Sequence, residues 1–186
     1  MLTKGNTLNT LTAFKNYVIK QARTNLTKNK KNFSKELYDS LDANVTFNDT
    51  RISVDFSMEE YGLYQDKGVR GVKSNYPENR NSPYSYKSSS NLIGLEGATG
   101  SLGKWAKSKR LRFRDVKGRY LSYKSIGFIL ANSIKNKGLK ASLFFTKPFE
   151  KGFDNLEENL KEAYGKDVAD FMQEALRNID FKTREG

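Results

Sequence analysis

Between Leu8 and Leu26 the apolar residues Leu8, Leu11, Phe14, Val18, Ala22 and Leu26 recur every three or four positions. That spacing lines one face of a helix, and it predicts an amphipathic helix of roughly 20 residues, about 30 Å long. A helix of that length must have its apolar stripe covered. The following residues offer cover of two kinds. Phe33, Leu37, Tyr38 and Leu41 predict a second, shorter helix with Ser34 as its cap. The period then falls to two: Val45 and Phe47 alternate with polar neighbours, Asn48-Asp49-Thr50 supplies turn residues, and Ile52, Val54 and Phe56 alternate again. This is the pattern of a β-hairpin with one buried face.

Helical spacing returns from Ser57 to Gly68. Tyr61 and Tyr64 lie one turn apart, Asp66 and Lys67 follow, and Gly68 is placed to end the helix with a positive φ. From about residue 69 to 118 regular structure is hard to read. This stretch holds Ser88-Ser89-Ser90 and glycines at 94, 97, 100 and 103, and a short helix over Leu102 to Lys107, centred on Trp105, is the one element expected in it. A loop this long is expected to be functional, or to order only on a partner. A firmer helix is predicted from Leu121 to Lys137, with Tyr123, Ile126, Ile129, Leu130, Ala131 and Ile134 as its apolar side and Gly138 past its end. Leu143, Phe144, Phe145 and Phe149, stiffened by Pro148, suit a strand edge that packs on a neighbour. A last helical region starts at Asp154 with Glu157 as a capping pair, breaks at Gly165, and resumes with Asp167 as its cap.

The 186 residues, with 37% hydrophobic content, twelve phenylalanines and ten tyrosines, suffice for one core and are expected to form a single domain, 1–186, carrying a basic Gly/Ser-rich insertion at about 69–118. There is no cysteine and no histidine, which removes thiol nucleophiles, disulfides, Cys/His zinc sites and histidine acid–base catalysis. No catalytic, metal-binding or cofactor-binding residue is therefore proposed from the sequence. No apolar run approaches the roughly 18 residues of a membrane span, and the N-terminus lacks a signal-peptide core, so the chain is expected to be soluble and made in the cytoplasm.

Gly94 to Lys104 resembles the end of a phosphate-binding loop, but Ala98 stands where the first glycine belongs and Trp105 where Ser or Thr must follow the lysine. Asp55, Glu59, Glu60 and Lys67 could hold magnesium only if the fold converged them; on a helix Glu59 and Glu60 point about 100° apart. The formal charge is +12, from 33 Lys and Arg against 21 Asp and Glu. Its densest run interleaves Lys104, Lys107, Lys109, Arg110, Arg112, Arg114, Lys117 and Arg119 with Trp105, Phe113 and Tyr120. That composition suits phosphate contacts with base stacking, or an acidic protein surface.

The succession of a long helix, a hairpin, Tyr61-Gly62-x-Tyr64-x-Asp66-Lys67-Gly68, the Trp105 helix, Ile126 to Gly138 and then Phe144-Phe145-x-x-Pro148-Phe149 resembles the tail-completion or neck proteins of tailed double-stranded DNA bacteriophages. The resemblance implies an α+β fold, a small antiparallel sheet packed against the long N-terminal helix. It also implies a non-enzymatic virion protein that forms a ring with copies of itself at the head–tail junction, as neck, tail-completion or tail-terminator adaptor. Its neighbours would be portal, connector or tail proteins, with DNA in the channel, and Tyr61, Tyr64, Asp66, Lys67, Gly68, Trp105, Leu143, Phe144, Phe145, Pro148 and Phe149 would serve its contacts. The rival readings are a basic nucleic-acid-binding protein and, behind it, a magnesium-dependent nuclease.

Overall fold

The structure, a computed structural model, describes residues 5–29, 34–48, 51–92 and 100–184, with side chains through residue 177. It is α+β, with seven α-helices and two two-stranded antiparallel sheets among the described residues. By its internal contacts the chain divides into two compact units, Met1–Glu59 with Phe144–Gly186, and Glu60–Leu143. The second unit therefore takes in more than the expected insertion. It also contains the Tyr61–Gly68 turn and the long helix before Gly138.

In the first unit α1 runs from Gly5 to Lys28 and buries Thr7, Leu11, Phe14, Val18, Ala22 and Leu26. Thr7 takes the inward position at the N-terminal end, and Leu8 stays 39% exposed. Helix α2 is short, Glu36–Ser40, and begins after Lys35 in the left-handed region without a side-chain cap. Ser34 is thus not its cap, and Phe33 lies outside the described residues. Strands β1 (Asp42–Phe47) and β2 (Ile52–Ser57) pair with Ala43 opposite Phe56, Val45 opposite Val54 and Phe47 opposite Ile52. These pairs share a face. The other face is polar, with Thr46, Ser53 and Asp55 hydrogen-bonded to one another.

Two neighbouring clusters form the core of this unit. One joins Ala22, Leu26, Leu37, Leu41 and Phe144; the other joins Leu11, Phe14, Val18 and Leu156, with Val45, Ile52, Val54 and Phe56 from the hairpin packed against it. Phe145 touches both clusters. The rings of Phe14, Phe56, Phe145 and Phe149 meet edge to face at 5.3 to 6.0 Å, a geometry that adds to simple burial. The expected strand edge at Leu143–Phe145 is not formed. Phe144 and Phe145 sit in a turn before α6 (Thr146–Asp154), whose first turn contains the buried Pro148. Proline lacks an N–H, and the first turn of a helix is where none is needed. Helix α6 lies so close to α1 that a Cβ on Gly152 would come within 2.9 Å of the Phe14 ring.

Helix α7 spans Leu156–Arg184 without interruption. Asp154 ends α6 and does not cap α7, and Gly165 does not break it. Asp167 is a cap, but of a different helix. Only 1% exposed, it accepts hydrogen bonds from the backbone N–H groups of Asn6 (2.8 Å) and Thr7 (2.9 Å), and from both their side chains. The first N–H groups of any α-helix lack partners within it. No acidic residue stands in the first turn of α1, so a carboxylate 160 positions away supplies the anion its N-terminus favours. Burial works to raise the Asp167 pKa, yet the bonds from Thr7 and Asn6 hold it below the ordinary carboxylate value.

The second unit is knitted around a buried amide. Asn79, fully buried at the end of a short turn of 3-10 helix (Pro77–Asn79), donates to Val69 O (2.9 Å) and Leu139 O (2.8 Å) and accepts from Ala141 N (2.8 Å). It bridges β3 (Val69–Arg70) and β4 (Gly138–Leu139), which pair antiparallel. Helix α3 (Tyr61–Lys67) leads into β3 through Gly68, whose φ is +73°. A Cβ there would approach Ala141 N and Leu139 O to 2.6 and 2.7 Å, so only glycine fits. The segment after β3 is ordered: Val72, Lys73 and Ser74 donate to the carbonyls of Lys135 and Asn136, the last turn of α5 (Tyr123–Lys137). The stretch from 71 to 92 is loop-rich, as expected, and what holds it is these bonds between residues far apart in sequence. Helix α4 (Gly100–Ser108) packs on α5, where Gly127 faces the backbone of Gly103. Ile126 and Ala131 of α5 are buried, and Ile129, expected on the same side, is 42% exposed.

No helix among the described residues is long and apolar enough to cross a membrane.

Candidate functional site

The residue pattern from Lys104 to Lys124 contains nine Lys and Arg against one acid, Asp115. The structure gives this run a defined shape. Helix α4 ends in a Schellman arrangement: Leu111 N donates to Ala106 O (2.9 Å), Arg110 N donates to Lys107 O (3.0 Å), and Arg110 has φ +53°. Glycine is the usual residue there, and an arginine accepts some strain. The chain then runs out as one arm of a small hairpin and back as the other.

The turn of that hairpin is built by Asp115. Its N–H donates to Arg119 O (2.9 Å) and its carbonyl accepts from Gly118 N (2.9 Å). Its carboxylate accepts from the N–H groups of Lys117 and Arg119 (both 2.9 Å) and from Arg119 Nε (3.0 Å). Gly118, at φ +79°, supplies the left-handed residue that such a three-residue loop requires. The backbone hydrogen bond from Arg119 is the chief reason that the Asp115 carboxyl is held below its ordinary pKa. Asp115 is thereby engaged in its own turn, and its charge is directed at Arg119.

Beyond the turn, Arg114 pairs with Tyr120 across the hairpin, and Leu121 N donates to Phe113 O at 2.9 Å. Arg112 and Arg114, two residues apart on one arm, share a face. The Arg114 guanidinium lies 4.6 Å from the Tyr120 ring centre and donates to its hydroxyl (2.9 Å), and that of Arg112 lies 5.4 Å from the same ring and 6.0 Å from Tyr123. Cation–π stacking orders both heads without neutralising them. Tyr120 is 58% exposed, and Val116 at the apex is fully exposed. Lys104, Lys107, Lys109, Arg110, Arg112, Arg114, Lys117 and Lys124 are all exposed, and none forms an ion pair among the described residues.

The residues expected to serve contacts are dispersed between core and surface. Tyr61 and Tyr64 are exposed on α3, with Tyr64 edge-on to Tyr84 at 4.6 Å, and Lys67 is exposed. Asp66 is buried and its carbonyl accepts from Ser142 and Leu143 N–H, so it belongs to the interior of the second unit. Trp105 and Leu143 are half-buried. Phe144 has no exposed surface, and in this fold it is a core residue and not a contact residue; Phe145 and Phe149 stand in the same aromatic cluster. Asp55 is bonded to Thr46 and Ser53, and no group of three acidic side chains among the described residues is placed to hold a metal ion. The Gly94–Lys104 stretch falls mostly outside the described residues.

Two polar hubs, Asn79 and Asp115, do not stand out in the sequence. Asn79 is one of many asparagines, and its importance comes from three backbone partners at distant positions. Asp115 does carry a signal, since Asp115-Val116-Lys117-Gly118 places an acid at the first turn position and glycine at the fourth, but the run reads first as a basic segment.

Compared with models of protein families, with characterised proteins and with solved structures, the chain matches none.

Proposed function

We propose that this chain is a structural protein of a tailed double-stranded DNA phage, a subunit of a ring at the head–tail junction, working as an assembly adaptor without catalysis. The observation that supports this reading is the composition of the first unit. A hairpin lies against a long N-terminal helix, and Phe145 and Phe149, from the second half of the resemblance, close the seam between them. The resemblance expects that α+β arrangement. A ring of identical subunits needs unlike patches that meet from copy to copy. Helix α7 offers one candidate patch, because Met172 and Leu176 are exposed one turn apart, with Phe171 exposed beside them.

Electron microscopy of purified virions tests the proposal. A ring of this protein at the head–tail junction is the expected result. Its absence from the particle overturns the reading.

A further inference from the structure

We infer that the Lys104–Lys124 region, centred on the Arg112–Tyr120 hairpin, is a binding surface for the phosphate backbone of DNA, indifferent to base sequence. The first ground is how charge is divided. The Glu60–Leu143 unit holds 17 Lys and Arg against 5 Asp and Glu, whereas the other unit holds 16 of each. The whole formal charge of +12 therefore resides in one unit. Confining that charge costs the folded state self-repulsion, and the ion pairs described within the unit, Asp115–Arg119 and Glu78–Lys140, offset only part of it.

The second ground is the state of the cations. Eight exposed Lys and Arg between 104 and 124 lack an acidic partner among the described residues, and the one carboxylate within the run is engaged by its own turn and Arg119. Most such side chains elsewhere would lose entropy on meeting a phosphate. Arg112 and Arg114 are already held by tyrosine, with their remaining N–H donors free to reach a phosphate oxygen. The face they share is a protruding hairpin and not a cleft. That form suits a charged polymer lying across it better than a small anion.

Nucleic acid is favoured over an acidic protein by the uniformity of the surface. A specific protein interface has an apolar centre with polar groups around it. Here Val116 is the one aliphatic side chain and Tyr120 the one ring among the exposed residues; Trp105, Leu111, Phe113 and Tyr123 are half-buried, and cations make up most of the exposed remainder. A duplex backbone asks for repeated point charges, and exposed lysines and arginines supply them.

The test uses the purified full-length chain and a random-sequence DNA duplex, with affinity measured by fluorescence anisotropy between about 50 and about 200 mM salt. Each phosphate neutralised contributes about −0.9 to the slope of log affinity against log salt. With roughly five phosphates engaged, affinity falls about 500-fold across that range. Arg112→Ser with Arg114→Ser is expected to make the slope shallower by about 1.8. Lys107→Ala with Lys109→Ala, on the exposed end of α4, should do the same without touching the hairpin. This second pair keeps the test valid if the first disturbs the turn. Absence of binding at the lowest salt overturns the inference, as does a slope unchanged in both pairs, or binding to polyglutamate in place of DNA. None of these outcomes depends on a place in the virion, so this proposal and the ring proposal stand or fall separately.

Discussion

Asp167 and Asn79 illustrate how single polar side chains hold each unit together. Asp167 caps α1 from a distant helix, and its loss leaves the Asn6 and Thr7 N–H groups without this acceptor. Asp167→Ala is expected to lower unfolding free energy by about 1–3 kcal/mol in urea titration, the cost of unpaired buried donors. The sign of its pH dependence follows from its depressed pKa. The stabilisation is fully present above the ordinary carboxylate pKa and disappears as pH falls through the lower value of the folded state. The wild-type protein should therefore lose stability in strong acid more steeply than the variant. Asn79→Leu has similar bulk but removes the side-chain donors to Val69 O and Leu139 O and leaves Ala141 N without its acceptor, at roughly 1–3 kcal/mol for the buried N–H. Amide hydrogen exchange should accelerate at β3 and β4 first. Arg110→Gly acts the other way, relieving a left-handed arginine worth about 1–2 kcal/mol while removing one charge from the basic surface, so its melting temperature should hold or rise.

Among the elements, helix contacts depend on small residues in particular places. Alanine is a better helix former than glycine by about 1 kcal/mol, which alone would make Gly152→Ala stabilising. The packed Phe14 ring at 2.9 Å from the new Cβ reverses that expectation. Phe14 is itself buried among Leu11, Val18 and Leu156, so displacing it is expected to cost more than the propensity gain, a net loss of about 1–2 kcal/mol by thermal denaturation. The outer half of α7 behaves differently. Met172 and Leu176 are 60% and 62% exposed, so their replacement by serine should leave the melting temperature within about a degree or two. Any defect of that variant in particle assembly then reports a lost contact and not a damaged fold.

For the molecule as a whole, the unequal distribution of charge is the dominant electrostatic fact. A unit carrying +12 repels itself, and salt shortens the range of that repulsion to about 8 Å at physiological strength. Added sodium chloride should therefore raise the melting temperature, although it weakens DNA binding. The other unit stands on its aromatic core. Phe144→Ala empties the fully buried site next to Leu26 and Leu41 and is expected to cost about 3–5 kcal/mol. Loss of particles from that variant would follow from unfolding, which makes the exposed α7 residues the cleaner probe of assembly.

Periodicity alone determined the elements that bury a continuous face: α1 within a residue or two, the hairpin with its inward Val45, Ile52, Val54 and Phe56, and α5 up to Gly138. Apolar spacing records which side of an element must leave water, and that demand is local. The positive φ of Gly68 was legible for the same reason. Other features were decided only by the tertiary structure. Phe144-Phe145 reads as a strand edge in isolation and is a buried turn, because the space beside Leu26 and Leu41 needed a ring. Asp167 reads as the start of a helix and instead caps another 160 residues away. The stretch 69–92 is loop-rich in sequence and structure alike, but the bonds that hold it were not legible, because they run to carbonyls of α5, groups that every residue carries, and to one asparagine side chain. The basic run from Lys104 was visible as composition, but its hairpin, its stacked arginines and the neutrality of the other unit came from the folded chain. Hydrogen bonds and packing between distant segments leave little trace in local pattern, since almost any residue can supply a backbone donor and several can fill a given volume.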